Sequence, residues 1–211
     1  MHISAVIPAF NEEKTVGKIV KILTSIDEIE ETIVVSDGSV DHTAKVARQS
    51  GAKVVELPFN QGKGAAMKAG VNFSKGDAIL FLDADLIGLT EHHVRELLQP
   101  IICGQAEMSI GIFGGGRFST DLAQKVSPFL SGQRVVKKYI LEQLSNMDMT
   151  RFGVEIALTR YVRRNRISYV NVTLEHMTHI MKEEKLGWKK GVLARMKMYW
   201  EIVKGFRTAK N

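Results

Sequence analysis

The fold is decided by residues 78–85, which read Ala78-Ile79-Leu80-Phe81-Leu82-Asp83-Ala84-Asp85. The first five residues are apolar without interruption, as expected for a strand at the centre of a parallel sheet covered on both faces. Two carboxylates follow, so Asp83 and Asp85 share one side if the strand continues through them. Two like charges there repel each other unless a cation bridges them, and carboxylate oxygens suit Mg²⁺ or Mn²⁺. The stretch therefore predicts a buried strand that ends in a metal site, with a pair of exposed loop acids as the alternative.

Alternating strands and helices precede this stretch. Short β-branched runs predict strands over residues 3–8, 32–36 and 53–57. Apolar residues at helical spacing predict helices over residues 13–25 and 43–50, and a third helix after the glycine-rich turn at 60–64. Repeated strand–helix–strand units connect parallel strands through right-handed crossovers. The sequence therefore predicts an α/β fold with a mostly parallel central sheet, in which ligands bind beyond the carboxyl ends of the strands.

Polar segments follow the three earlier strands at that edge of the predicted sheet. Glu12 comes after the first strand, where a carboxylate suits a ribose hydroxyl, and Asp37 follows the second, where it suits an N–H of a base. Lys63 lies between Gly62 and Gly64 just before a helix N-terminus, a combination that suits an anionic ligand. The loop is not a P-loop, because no Ser or Thr follows Lys63 and the required upstream glycine is missing. Each segment alone reads equally as an ordinary turn, but together they predict a nucleotide site.

The second half of the chain is less regular. A strand is predicted over residues 107–112, helices over 135–144 and 154–162, and a further strand over 167–174. Between residues 188 and 207, apolar positions at helical spacing accompany six Lys or Arg residues and a single acid, which predicts a basic amphipathic helix. That helix suits either a membrane surface or, as the favoured interpretation, docking on the domain or on a second subunit of a homodimer.

Composition narrows the class of protein. The chain has 211 residues and a net charge of +6, which favours contact with phosphate, nucleic acid or an anionic membrane. No basic patch interleaved with aromatic residues is apparent, so nucleic-acid binding is not expected. The single cysteine, Cys103, excludes an internal disulfide and, beside Ile101 and Ile102, is expected to be packed. Because we find no signal peptide and no apolar run of about 18 residues, we expect a cytoplasmic protein.

The motifs of residues 1–90 resemble those of GT-A glycosyltransferases of the family 2 type. The second half is similar to the glucosyl-3-phosphoglycerate and mannosyl-3-phosphoglycerate synthases. The residues that carry the first resemblance are Pro8, Asn11 and Glu12, the turn Asp37-Gly38-Ser39-Val40-Asp41-His42-Thr43, the loop Gly62-Lys63-Gly64 and the motif Asp83-Ala84-Asp85. Those that carry the second are Gly114-Gly115-Gly116-Arg117, Gly132, Phe152-Gly153-Val154-Glu155-Ile156 and His176.

This resemblance implies a fold, an activity and a set of site residues. The expected reaction moves a sugar from a nucleoside-diphosphate-sugar, with UDP-glucose favoured, to a small phosphorylated acceptor such as 3-phosphoglycerate, with Mg²⁺ or Mn²⁺ as cofactor. Residues 1–180 would form the GT-A domain, with the nucleotide-binding half over 1–90 and the acceptor side over 91–180, and residues 181–211 a helical extension. The implied roles are nucleotide binding for Pro8, Ala9, Phe10, Glu12, Asp37, Lys63, Asp83 and Ala84; the metal for Asp85 and His176; catalysis for Glu155 and Asp85; and the acceptor for Gly116, Arg117, Ser119 and Thr178.

Departures from the family pattern concern the acceptor more than the donor. Ser36 stands where an aspartate is usual, Thr178 replaces an asparagine, and residues 130–134 replace a Gly-Gly-Glu-type segment. Stereochemistry is open because the family 2 enzymes invert configuration and the phosphoglycerate synthases retain it: Glu155 is the base if configuration inverts, and it positions the acceptor if configuration is retained. The alternatives are an inverting transferase with a lipid-phosphate or polysaccharide acceptor, a sugar nucleotidyltransferase, and a nucleotide-sugar-binding protein without catalysis.

Overall fold

The computed structural model describes residues 1–114, 131–144 and 154–179. Strands and helices alternate through the first hundred residues, as the sequence predicts. In chain order the elements are β1 (Ile3–Ala9), α1 (Val16–Thr24), β2 (Ile29–Asp37), α2 (Thr43–Gln49), β3 (Lys53–Leu57), α3 (Lys63–Phe73), β4 (Ala78–Phe81), β5 (Leu86–Ile87), α4 (Glu91–Ile102), β6 (Met108–Phe113), β7 (Arg134–Lys137), α5 (Lys138–Leu144), α6 (Val154–Arg164), β8 (Tyr169–Leu174) and β9 (Thr178–His179).

Seven strands form one central sheet in the order β3-β2-β1-β4-β7-β6-β8. Strands β1 to β4 run parallel to one another, whereas β7 runs antiparallel to both β4 and β6, and β8 runs parallel to β6. Strands β5 and β9 pair separately as a small antiparallel sheet. The predicted α/β class with a mostly parallel central sheet is therefore confirmed.

Helices cover both faces of the central sheet. Along β1, Ile3, Ala5 and Ile7 pack in one cluster with α1 and α4, while Val6 packs on the other face with α3. This alternation follows from the strand geometry, in which successive side chains point to opposite faces. All four side chains are fully buried. The core therefore fixes the carboxyl ends of β1, β2 and β4 along one edge of the sheet.

The second half contains a prediction that is wrong. Residues 135–144 do not form one helix, because β7 occupies Arg134–Lys137 and α5 begins only at Lys138. Val135 and Val136 are fully buried and pair with β4 on one side and β6 on the other. Valine favours strands, and pairing with a strand on each side outweighs the helical spacing of the apolar residues that follow.

Helix α4 has no counterpart among the helices that the sequence predicts. It begins with a capping box, in which Thr90 Oγ1 accepts the N–H of His93 and His93 Nδ1 accepts the N–H of Thr90. The helix ends at Cys103, which is exposed. The prediction of a packed thiol is therefore wrong, because Cys103 lies beyond the last buried turn of α4 rather than inside it.

Some sequence predictions lie outside the described residues. These are the glycine-rich loop with Gly116, Arg117 and Ser119, the basic helix over residues 188–207, and the extension over 181–211. Among residues 1–114, 131–144 and 154–179, no helix is long and apolar enough to cross a bilayer.

Candidate active site at the carboxyl ends of the central strands

An ammonium between two carboxylates forms the centre of the candidate site. Lys63 Nζ lies 2.6 Å from Asp83 Oδ1 and 2.6 Å from Glu155 Oε1. The Lys63 side chain is 41% exposed, whereas the side chains of Asp83 and Glu155 are only 18% and 13% exposed. Partial burial opposes the ammonium charge, but attraction by Asp83 and Glu155 outweighs it and raises the pKa of Lys63 above its usual value. We call these three residues the lysine bridge.

Three separate elements supply the lysine bridge. Lys63 opens α3 directly after Gly62, whose φ of +90° is a backbone conformation that favours glycine. Asp83 lies two residues beyond the end of β4, and Glu155 is the second residue of α6. Because β4 ends at Phe81, the condition for placing Asp83 and Asp85 on one side by strand alternation is not met. The charge of Asp83 is compensated by the ammonium of Lys63.

Gln133 and Arg134 form hydrogen bonds to Asp83 and Glu155 of the lysine bridge. The sequence does not predict either of them as a site residue. Gln133 Nε2 donates to Asp83 Oδ2 at 2.9 Å. Arg134 is fully buried, and its guanidinium donates to the carbonyls of Ser131 and Glu155. Burial lowers the pKa of Arg134 to about 10, although the carboxylates of Glu155 and Asp83 oppose the shift. In the sequence, the mark of these two residues is their position directly before Val135 and Val136, two β-branched residues that lie in a strand.

Asp37 is tied to the loop that precedes Lys63. It is buried, and its two carboxylate oxygens accept the N–H groups of Gln61 and Gly62, each at 2.8 Å. Gly38 follows with φ +67°, and its Cα lies so close to the backbone of Phe59 that a Cβ would clash. The structure thus shows Asp37 holding the start of α3, while its predicted contact with a base stays a prediction.

The loop after β1 lies against the loop after β2. Pro8 and Ala9 end β1 and pair with β2, and Phe10 follows with its ring 46% exposed. Asn11, with φ +57°, accepts the N–H of Val40 through its side chain. The N–H of Glu12 donates to Thr43 Oγ1 at 2.8 Å, and the Glu12 side chain is half-buried. These loops bring the predicted nucleotide residues of β1 to the same edge as Asp37.

The small sheet brings the segment after Asp83 against the segment that carries the predicted histidine. Asp85 is half-buried beside the buried Ala84, and β5 begins with the next residue, Leu86. In β9, Thr178 pairs with Ile87 and His179 pairs with Leu86. By this register, the residue next to Asp85 lies opposite His179.

His176 lies at the other end of the same small sheet. It is exposed, has φ +58°, and its carbonyl packs against Gly88 so tightly that a Cβ there would come within 2.5 Å. Within the described residues, no three His, Cys, Asp or Glu side chains come close enough together to hold a metal ion. A carboxylate and an imidazole suit Mg²⁺ or Mn²⁺ in type, and the metal role of Asp85 and His176 stays a prediction.

The start of α3 and the lysine bridge lie together at this edge of the sheet. The start of α3 presents its N-terminal dipole, and Lys63 adds an ammonium whose charge is shared with Asp83 and Glu155. Asp83 and Glu155 lie deeper and are fixed by that ammonium and by the segment 131–134. Such a site can bind a phosphate group and stabilise negative charge that develops on it.

Comparisons with known proteins agree with this geometry. Residues 4–165 match the model of a family described as glycosyl transferase family 2. The chain is 32% identical over 165 residues to a glucosyl-3-phosphoglycerate synthase of Mycolicibacterium smegmatis, covering 67% of this chain and 54% of that protein. It is 33% identical over 121 residues to a dolichyl-phosphate beta-glucosyltransferase of Trichomonas vaginalis, covering 47% of this chain and 36% of that protein. The chain therefore spans about half, or less, of the length of these relatives.

Solved structures show the same architecture. The crystal structure of glucosyl-3-phosphoglycerate synthase from Mycobacterium tuberculosis in complex with Mn²⁺, uridine-diphosphate-glucose and phosphoglyceric acid matches with a TM-score of 0.72 and 29% identity, over 85% of this chain and 71% of that one. A structure of that synthase with Mg²⁺ and uridine diphosphate matches with a TM-score of 0.71 and 29% identity, over the same shares of the two chains. The resemblance and the GT-A fold predicted from the sequence are both confirmed.

Proposed function

The chain belongs to glycosyl transferase family 2, and on that premise we propose that it transfers a sugar from a nucleoside-diphosphate-sugar to a small phosphorylated acceptor. UDP-glucose is the favoured donor and 3-phosphoglycerate the favoured acceptor, since the similar synthase structure contains uridine-diphosphate-glucose and phosphoglyceric acid. The observation that carries the proposal is the lysine bridge at the carboxyl ends of the central strands, where α/β sheets bind their ligands.

The donor would lie along the edge formed by the strand ends. We assign the nucleoside to the loop of Pro8, Ala9, Phe10 and Glu12, and the diphosphate to Lys63, with Asp83 and Ala84 flanking it. An ammonium pairs with a phosphate oxygen as readily as with a carboxylate. Lys63 would therefore stabilise the negative charge that grows on the nucleotide as it leaves the sugar. Asp37 would support this step indirectly, because it holds the N–H groups of Gln61 and Gly62.

Asp85 and His176 would hold a Mg²⁺ or Mn²⁺ ion together with donor oxygens. When bound, such an ion neutralises charge on the leaving diphosphate.

Glu155 would position reacting groups rather than act as the base. Its carboxylate already holds the ammonium of Lys63 at 2.6 Å. To accept a proton from the acceptor hydroxyl, it would have to lose the negative charge that pairs with this ammonium. This contact supports the hypothesis that Glu155 positions the acceptor and that the configuration at the sugar is retained.

The acceptor phosphate would be bound by Gly116, Arg117, Ser119 and Thr178. Arginine and backbone N–H groups suit phosphate because they donate several charge-assisted hydrogen bonds at once. Residues 1–180 would then hold the donor and acceptor sites, with residues 181–211 as an extension. Of the four, only Thr178 lies among the described residues, where it is exposed beside β5.

A lipid phosphate is the second candidate acceptor. The similarity to a dolichyl-phosphate beta-glucosyltransferase favours it. Under this alternative the basic segment at residues 188–207 would contact a membrane surface. Both acceptors present a phosphate, so the acceptor-binding residues alone do not distinguish them.

Binding measurements test the donor side. Thermal-shift measurements would compare UDP, UDP-glucose, other nucleoside diphosphates and nucleoside triphosphates, with and without Mn²⁺. We expect a metal-dependent rise in Tm with uridine nucleotides that is reduced in Asp85→Asn. We expect the same reduction in His176→Ala, because His176 is the other proposed ligand. A rise with nucleoside triphosphates alone would contradict the proposal and favour a nucleotidyltransferase.

A further inference from the structure

Residues 131–134 contact both acidic residues of the lysine bridge, Asp83 through its carboxylate and Glu155 through its backbone carbonyl. This segment leads into β7, which lies in the sheet beside β4, and its side chains reach toward the turn after β4 and the start of α6. This single short segment therefore links the two acidic residues that Lys63 holds together.

Gln133 fixes the orientation of Asp83. Its side chain is buried, with the residue only 1% exposed, and Nε2 donates to Asp83 Oδ2 at 2.9 Å. Lys63 takes the other carboxylate oxygen, Oδ1. The Gln133 amide oxygen lies 3.1 Å from the hydroxyl of Ser131, which leaves the amide nitrogen for Asp83. Both oxygens of Asp83 are thus engaged, and its plane is set by two donors on opposite sides.

Arg134 fixes the first turn of α6. Its guanidinium donates to the Glu155 carbonyl at 3.2 Å and to Thr159 Oγ1 at 3.3 Å, while Nε donates to the Ser131 carbonyl at 3.1 Å. The hydroxyl of Thr159 donates to that same Glu155 carbonyl at 2.7 Å. The turn that carries the Glu155 side chain to Lys63 is therefore bound to β7.

The charges of this group are balanced. Lys63 and Arg134 carry two positive charges, and Asp83 and Glu155 carry two negative charges. A buried guanidinium is costly unless its hydrogen bonds are made and an opposite charge is near, and Arg134 meets both conditions. Arginine rather than lysine suits this position, because its planar fork can donate to Ser131, Glu155 and Thr159 at the same time.

We propose that Gln133 and Arg134 are positioning residues for the transfer reaction, which hold Asp83 and Glu155 in the reactive arrangement around Lys63. This inference rests on the proposed function. The two residues do not touch the substrates; they act through the lysine bridge. Their removal should therefore lower kcat more than it raises the KM for the donor.

The main test compares Gln133→Leu and Gln133→Glu with Gln105→Leu, an exposed glutamine outside the site. Loss of one hydrogen bond to a carboxylate should reduce kcat about 10- to 100-fold in Gln133→Leu, with KM for the donor nearly unchanged. Gln105→Leu should match the wild type. In Gln133→Glu, a second carboxylate faces Asp83 at high pH, but the protonated acid can donate at low pH. Its kcat relative to wild type should therefore rise as the pH falls.

Arg134→Lys tests the second residue. The lysine keeps the positive charge but loses the planar guanidinium that donates to Ser131, Glu155 and Thr159. We therefore expect kcat to fall while the circular dichroism spectrum stays that of the wild type. If Arg134→Lys does not fold, the kcat of the two Gln133 variants alone tests the proposal. A Gln133→Leu enzyme with wild-type kcat, or a Gln133→Glu enzyme whose relative kcat ignores pH, would overturn the proposal.

An experiment that needs no activity separates this inference from the proposed function. Urea unfolding of Gln133→Leu, Asp83→Asn and the double variant forms a double-mutant cycle. If Gln133 acts on Asp83, the loss in the double variant is smaller than the sum of the two single losses. If the losses add, the inference fails even where sugar transfer is found. If the cycle shows coupling but no donor is used, the proposed function fails instead.

Discussion

Replacing Gly132 by alanine should disable the lysine bridge while leaving the fold nearly intact. A Cβ built on Gly132 would lie 2.5 and 2.6 Å from the two oxygens of the Asp83 carboxylate and 2.7 Å from Lys63 Nζ. Ordinary van der Waals contact begins at about 3.4 Å, so the carboxylate must move by about 0.9 Å. Because Gly132 is not in the left-handed region, alanine brings no backbone strain of its own.

The expected change in stability is small because two effects oppose each other. Alanine restricts the unfolded chain and stabilises the protein by about 0.4–1 kcal/mol. Displacing Asp83 from Lys63 costs roughly 1–2 kcal/mol, at the low end of the range for hydrogen bonds to charged groups, because the Lys63 side chain is 41% exposed. The net loss in the free energy of unfolding should be about 0–1.6 kcal/mol.

The expected change in activity is large. A displacement of about 1 Å in a catalytic group costs on the order of 100-fold in rate. We therefore expect Gly132→Ala to lower kcat for sugar transfer about 100-fold, measured as UDP release with UDP-glucose and Mn²⁺, while its urea midpoint stays close to wild type.

Gly70→Ala is the matched control. A Cβ on Gly70 would crowd the side chains of Val6 and Val35 in the core between α3 and β1. Overpacking of this kind costs about 1–3 kcal/mol, but it lies away from the charges of the bridge. Gly70→Ala should therefore lose stability and keep kcat per folded molecule. If Gly132→Ala retains wild-type kcat, or if both variants lose stability equally and activity only in proportion, our reasoning about the bridge is refuted.

Three further predictions concern other contacts. Burial raises the pKa of Glu31, but hydrogen bonds from Lys53, Ser4 and Lys75 lower it to about 2, so its stabilisation is present above pH 4.5 and lost as the pH falls toward 2. Glu31→Gln should therefore cost about 3 kcal/mol at pH 7 and almost nothing near pH 2, as measured by urea unfolding across pH. Asp37→Asn should lose about 1–3 kcal/mol, because one N–H of Gln61 or Gly62 then faces an amide nitrogen; the urea midpoint measures this. Lys63→Met should remove the cation from the bridge and lower kcat by at least about 100-fold, measured by UDP release, with an unchanged kcat excluding the lysine from the reaction.

The nucleotide-binding half was predictable because local sequence and tertiary environment agree there. The run 78–82 is apolar throughout and forms a buried strand between two others, as its composition requires. Lys63 follows a glycine and opens a helix, so its place at the strand edge follows from the order of the elements alone. The βαβ pattern therefore predicts that Lys63 and Asp83 lie at the same edge of the sheet.

The second half was less predictable because long-range contacts decide it. Arg134 looks like a surface residue in the sequence, but it is fully buried beside the charges of Lys63, Asp83 and Glu155 and hydrogen-bonded to Ser131 and Glu155. Val135 and Val136 fit a helical spacing, yet pairing with β4 and β6 makes them a strand. Gln133 and Asp83 are 50 residues apart in the sequence, and no local sequence pattern predicts their contact.

The most direct test of the proposed function is to identify the products by mass spectrometry. The protein is incubated with UDP-glucose, Mn²⁺ and either 3-phosphoglycerate or a polyprenyl phosphate, and both UDP and the glycosylated acceptor are quantified. We predict UDP and glucosyl-phosphoglycerate in equal amounts, both lost in Lys63→Met. A glucosylated lipid would redirect the acceptor assignment. Donor that remains intact with every acceptor, while a nucleoside triphosphate and a sugar phosphate yield pyrophosphate, would contradict the account.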